Sequence, residues 1–158
     1  MTTKTLLQKL EHFEREDFLD LLESLHKKMP EVDLFLSLKL GIIKPIDLLK
    51  MYKLKIDKEL TVRATRSYKP KISKAKTVIR EFKKYSSSVE NLLELQYYFC
   101  FSLLENILDK QEDAYIPEAL KGSAKKLVIA FEKDMQKAKL LVDFDIYSLK
   151  KLLNKIEE

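Results

Sequence analysis

Few side chains in this chain are of the kinds that do chemistry, and their spacing says what each could do. Glu23-Ser-Leu-His26 has the Glu-x-x-His spacing that places a carboxylate and an imidazole on one helical face, as in carboxylate di-iron helices. Such a site needs a second copy of the motif and further glutamates. The other histidine is His12, with Lys9 three positions before it. No metal is expected, and His26 reads as a partly exposed histidine near a helix end. Cys100 is the single cysteine and lies within an aromatic run. Burial there raises the pKa of a thiol and makes it a poor nucleophile. One thiol also rules out an internal disulfide and a thiolate metal site. Glu16, Asp17, Asp20 and Glu23 invite a reading as acid/base carboxylates. Their place in the first half of an amphipathic helix explains them without chemistry, because the macrodipole favours anions there. Gly41 and Gly122 are the only glycines, so there is no Gly-rich phosphate loop. The chain reads as a non-enzyme, with no catalytic residue, cofactor or small-molecule substrate indicated.

Charge is the strongest positional signal. Lys58–Lys84 carries ten basic residues against Glu59 and Glu81, or +8, while residues 1–35 and 85–158 each sum to −3. Concentrated Lys and Arg attract polyanions by counterion release. Arg63 and Arg66, with Tyr68 beside them, have the right chemistry to grip phosphates and stack on a base. Lys69, Lys71, Lys74, Lys76 and Arg80 extend the same surface. Three readings compete for it: a solvated face that meets the acidic N-terminal helix of its own chain, a contact for an acidic protein partner, or a nucleic-acid interface.

A second signal is aromatic. Tyr97, Tyr98, Phe99 and Phe101 stand too close together to face one neighbour. Either the helix that carries them is surrounded and every ring is core, or one side, with Tyr97, Tyr98 and Phe101, lines a groove or self-association surface. A buried Tyr hydroxyl needs a partner, so at least one ring should reach the bundle's edge.

The elements that must position these residues are helices. Two glycines and four prolines are too few for the frequent turns of an all-β fold. Leu92–Leu108 is the most apolar run. Glu94, Gln96, Ser102, Glu105 and Asn106 interrupt it, so it falls short of the charge-poor run a membrane span requires. A helix apolar nearly all round belongs at the centre of a bundle. Ser88 is its natural N-cap, with Asn91 in place of the capping-box Glu.

Around it the periodicity predicts a short first helix capped by Thr3 or Thr5, then Glu14–Met29, stopped by Pro30, and a short buried helix over Glu31–Leu40. Gly41 to Pro45 is the clearest break. Ile46 to about Leu60 follows, with Leu48, Leu49, Tyr52, Ile56 and Leu60 on one face. Thr61–Pro70 has poor periodicity and reads as a loop or a frayed helix end. Ser73 is the expected cap of a helix reaching Tyr85, with Ala75, Val78, Ile79 and Phe82 inward. A long helix opens at Pro117 and reaches about Leu141, with Leu120, Ala124, Leu127, Phe131, Met135 and Ala138 on one stripe. Asp143 or Asp145 caps the last. The prediction is a single all-α domain over residues 1–158: six to eight helices in antiparallel hairpins, or a helical-repeat-like array, around a central helix at about 88–110.

Phe18-Leu-Asp-Leu-Leu-Glu-Ser-Leu-His-Lys-Lys-Met-Pro-Glu-Val-Asp-Leu-Phe-Leu36, Leu49-Lys-Met-Tyr-Lys-Leu-Lys-Ile-Asp-Lys58 and Pro70-Lys-Ile-Ser-Lys-Ala-Lys-Thr-Val-Ile-Arg-Glu-Phe-Lys-Lys84 follow one another in order. Together they resemble an uncharacterised family of small all-helical bacterial proteins, a domain of unknown function. The likeness spans roughly residues 4–140 and consists of packing and turn residues. It implies an all-helical cytoplasmic bacterial protein and supplies no activity, cofactor or site residue. The cytoplasm is also the default for one cysteine and an N-terminus whose Lys4, Lys9 and Glu11 break any apolar signal region.

Two functions from different classes follow. The first is a non-enzymatic helical protein-protein interaction module, using a groove beside the central helix or the basic segment to hold a partner or a second copy. The alternative is a sequence-nonspecific nucleic-acid-binding protein working through the basic segment 58–84.

Overall fold

The Ser88 hydroxyl accepts the Asn91 amide at 3.1 Å, and from that cap the chain runs as an unbroken helix over Val89–Lys110. Good helix formers and no Gly or Pro sustain its 22 residues. The computed structural model describes residues 2–61, 66–138 and 144–157. Among them are eight helices and no strand: α1 (Thr3–Leu10), α2 (Arg15–Lys28), α3 (Pro30–Lys39), α4 (Pro45–Leu60), α5 (Ile72–Tyr85), α6 (Val89–Lys110), α7 (Glu118–Ala138) and α8 (Ile146–Glu157). The fold is all-α, as the sequence predicts. The chain divides into two compact units, residues 1–44 and 45–158.

In residues 1–44, α2 packs on α3. Asp17 accepts the Glu14 amide at 2.9 Å and fixes the start of α2. The cap of α1 is Thr2 rather than Thr3 or Thr5: its hydroxyl accepts the Thr5 amide at 3.2 Å. None of the three helices holds a fully buried side chain, and Leu7, Leu19, Met29, Leu40 and Ile42 are among the exposed apolar residues. The short helix at 31–40, expected to be buried, is therefore only partly so.

Its end is well defined. The Ile42 amide donates to the Ser37 carbonyl at 2.8 Å and the Gly41 amide to the Leu38 carbonyl at 3.2 Å, a Schellman pair closed by Gly41 at φ 72°. A Cβ at Gly41 or at Gly122 would meet nothing within 4 Å. Only backbone preference therefore separates the two sites. Gly41→Ala is expected to cost about 1 kcal/mol, because an L side chain disfavours the left-handed region. Gly122→Ala, inside α7, is expected to stabilise by about 1 kcal/mol, because Ala is the better helix former. Urea unfolding of the whole protein, with amide exchange at Ile42 for the first variant, checks the opposite signs.

In residues 45–158, α6 is the axis. It packs against α4, α5, α7 and α8; α4 also packs on α5, and α7 on α8. Leu95, Leu103, Leu104 and Ile107 of α6 are sealed from solvent, as are Ile56, Leu60 and Phe82 around them. The predicted inward face of α4 is the observed one, with Leu48, Leu49, Tyr52, Ile56 and Leu60 buried. On α8 the spacing predicts Ile146, Leu149, Leu152, Leu153 and Ile156 inward; Leu149, Leu153 and Ile156 are buried, and Ile146 and Leu152 are half-buried. On α7 the buried stripe is Leu120, Ala124, Val128 and Phe131. Val128 takes the inward position expected of Leu127, which stays half-buried. Asp145 caps α8, accepting the Ser148 amide at 2.9 Å. Asp143, the other expected cap, and the expected end of α7 at Leu141 lie outside the described residues.

In the α4–α5 connection residues 62–65 lie outside the described residues, and the part from Arg66 to Lys71 is held by hydrogen bonds. The Tyr68 amide donates to the Tyr115 carbonyl and the Tyr115 amide to the Arg66 carbonyl, both at 3.1 Å, so the chain before α5 is stitched to the chain before α7. Tyr68 is fully buried and its hydroxyl donates to the Leu60 carbonyl at 2.9 Å. The Lys71 amide reaches the Glu59 carbonyl at 2.9 Å. With these bonds α5 starts at Ile72 with Lys71 as its cap, two residues before the expected cap Ser73.

Candidate functional site

On α6, Leu92, Gln96, Phe99 and Cys100 recur at spacings of three and four, so they share one helical face. Helix α5 flanks one side of that face and α7 the other. Two adjoining cavities, of about 480 and 410 Å³, open along it and share Ile79, Arg80, Gln96 and Asp134. Phe99, Cys100 and Leu93 form the buried floor. Ser73, Lys76, Ile79, Arg80 and Lys83 of α5 line one lip, again at helical spacing. Leu127, Ala130, Phe131, Asp134 and Lys137 of α7 line the other. The result is one open trench with an apolar floor and charged edges.

Polar groups in the trench are few. Gln96 Nε2 donates to Asp134 Oδ2 at 3.2 Å, tying floor to lip, while Gln96 Oε1 is buried without a hydrogen-bond partner. Arg80 Nη2 donates to Thr77 Oγ1 at 2.8 Å, which uses one of the five guanidinium donors. Among the described residues of 45–158, no carboxylate forms an ion pair with Lys76, Arg80, Lys83 or Lys137. Burial pushes the Cys100 thiol up to about 12, so the floor holds an inert thiol.

The residues singled out in the sequence are dispersed. Lys76 and Arg80 stand on the trench lip. Lys74 is exposed on α5 without lining either cavity, and Lys69 and Lys71 are exposed just before that helix. Arg66 is exposed, and its carbonyl is held by Tyr115. Arg63 lies outside the described residues. Tyr68, expected to stack on a base beside the arginines, is instead sealed in the core, because its ring fills space under the connection and its hydroxyl ends on Leu60.

Tyr97, Tyr98 and Phe101, the expected groove residues, lie on a different side of α6 from the trench and line neither cavity. Those residues are about 100° to 200° around the helix from Gln96 at 100° per residue. Tyr97 sits in a ring cluster with Phe101, Phe131 and Phe144, at centroid distances of 6.1, 5.8 and 5.6 Å. The Tyr98 hydroxyl lies 2.8 and 2.7 Å from the two oxygens of Asp57, and Lys53 Nζ sits 5.1 Å from its ring centroid. Burial first, and then the bond to Asp57, raises the Tyr98 pKa. Tyr98 is thus the ring that meets a polar partner.

The Glu23-x-x-His26 pair does not converge on one point. Glu23 bonds Lys27, and His26 Nδ1 lies 3.1 Å from Asp33 Oδ1. Among the described residues no three His, Cys, Asp or Glu side chains are grouped to hold a metal. No helix among them is long and apolar enough to cross a membrane.

Ala130 and Asp134 carry no signal in the sequence. Gln96 reads there only as a polar interruption of the apolar run and Leu127 only as part of an inward stripe, and only the spread of α5 and α7 over α6 groups them. Fold and site together define an all-helical bundle with an open apolar trench edged by basic side chains. No protein-family model, curated protein or solved structure matches the chain.

Proposed function

We propose that the protein is a non-enzymatic interaction module that holds a partner protein in the trench over α6. The observation that carries the reading is the joined pair of cavities, whose apolar floor and open length are suited to side chains of another polypeptide. A small-molecule site of similar volume ordinarily encloses most of its ligand. This trench is open along its length.

Selection of peptides from a displayed random library on the full chain tests the reading. Ala130 is exposed on the lip, so Ala130→Trp fills the trench without disturbing the core. The expected result is convergence on peptides that bind the wild type and lose at least about tenfold in affinity on the variant, a difference of about 1.4 kcal/mol. Peptides that bind both proteins equally would place docking elsewhere and overturn it.

A second reading is nonspecific nucleic-acid binding by the basic segment 58–84. It draws on the exposure of Lys69, Lys71, Lys74, Lys76, Arg80 and Lys83. Titration of labelled single- and double-stranded DNA and RNA at two salt concentrations decides it. Affinity that falls steeply with salt, and falls further when Lys74 and Arg80 become Ala, supports this reading. No binding at low salt removes it.

A further inference from the structure

We infer that the occupant of the trench is an acidic amphipathic helix of a partner protein, its apolar stripe over Phe99 and its carboxylates between Lys76, Arg80 and Lys83 on one lip and Lys137 on the other. The inference rests on the reading of the trench as a docking site and adds the chemistry of what docks.

Backbone bookkeeping selects the helix. An extended peptide gains affinity by pairing with an open sheet edge. Both lips here are helices, whose interior amides and carbonyls are already paired within the helix. A segment lying on the apolar floor must therefore satisfy its own backbone, and a helix does so. The length agrees. From Ser73 to Lys83 the α5 lip rises about 15 Å at 1.5 Å per residue, nearly three helical turns. That accommodates anchors at i, i+3 or i+4, and i+7.

Charge selects the sign. Among the described residues four cations border the trench against one lining carboxylate, Asp134, which also accepts from the neutral Gln96 amide, so the border is net positive. Their aliphatic stems extend the apolar surface while the charged heads stay in water, the pattern that flanks an apolar stripe with acidic positions. A cationic helix would meet like charge along the α5 lip, where Lys76, Arg80 and Lys83 stand, and that is costly at an interface.

The test uses two synthetic peptides of about 18 residues, long enough to hold helix on their own. Both carry Leu at i, i+3, i+4 and i+7; one has Glu at the flanking positions and the other Lys. Fluorescence anisotropy against the full chain is expected to show binding of the Glu peptide, weakened by added salt. The Lys peptide should bind at least about tenfold more weakly. The double substitution Arg80→Glu with Lys83→Glu should reverse that preference while leaving the far-UV circular dichroism unchanged. Equal binding of the two peptides, with Ala130→Trp abolishing both, would overturn the acidic helix and leave the trench as a docking site. Absence of binding by either peptide would also overturn it. The docking reading itself falls with it if, in addition, the library selection is indifferent to Ala130→Trp.

Discussion

Phe82→Ala is expected to remove about 3–5 kcal/mol of stability, the range for emptying a sealed aromatic site. Phe82 is 0% exposed and lies where α5 meets the rest of the core. Its ring makes an edge contact with Tyr52 at a centroid distance of 5.2 Å, and Tyr52 is itself 1% exposed. Removing the ring forfeits the apolar area it buries and leaves a void that close-packed neighbours refill only in part. An edge-on aromatic pair adds roughly 0.5–1.5 kcal/mol beyond area. The loss is a large share of a total stability of about 5–15 kcal/mol. It should therefore lower the urea midpoint sharply at an unchanged slope, followed by far-UV circular dichroism. Phe82→Leu, which keeps much of the volume, should lose clearly less. A Phe82→Ala protein with a wild-type midpoint would show that α5 is not anchored through this ring. The trench should suffer with the fold, because α5 carries one of its lips.

A second large effect is expected in alkali. Burial raises the Cys100 thiol from 9.0 to about 12 and the Tyr52 phenol from 10.0 to about 12, and it pushes the Tyr68 phenol up further. Each group is an acid held neutral in the folded chain. Between its unfolded and folded pKa values the unfolded state has released the proton and the folded state has not. Stability is thus complete below about pH 9 and falls as pH rises through the window from about 9 to 12. By about pH 10.5 the three groups together are expected to remove roughly 3–4 kcal/mol, at 1.36 kcal/mol per unit of differential titration. Urea unfolding at pH 8 and near pH 10.5 measures the loss. Tyr68→Phe separates its share. It sacrifices the bond to Leu60, about 1 kcal/mol at neutral pH, and makes the alkaline fall shallower. A midpoint unchanged between the two pH values would mean that these groups titrate freely.

What could be read in advance was local. Ser88 as a cap, Gly41 as a C-terminal stop, the inward residues of α4 and the central place of the 88–110 helix all follow from spacing, capping and composition. Each depends on interactions within a few turns of one helix. Periodicity is a weaker guide where a helix is buried on more than one side. On α7 the stripe from Leu120 to Ala138 blurs two faces, so spacing puts Leu127 inward where Val128 is the buried residue. A cap also shifts where a tertiary bond intervenes: α5 is capped at Lys71, whose amide reaches Glu59, two residues ahead of Ser73.

By itself the sequence determined an all-helical chain, the apolar rod over which its larger unit packs and the concentration of positive charge before and within α5. Those are properties of composition and of 3.6-residue periodicity. Only the tertiary structure decided that Tyr68 is a core residue, that Tyr97, Tyr98 and Phe101 turn away from the open face, and that Gln96 and Asp134 join across the trench. The physical reason is that a helix offers several faces, and which of them stays uncovered depends on how its neighbours pack around it, which spacing along one chain does not encode.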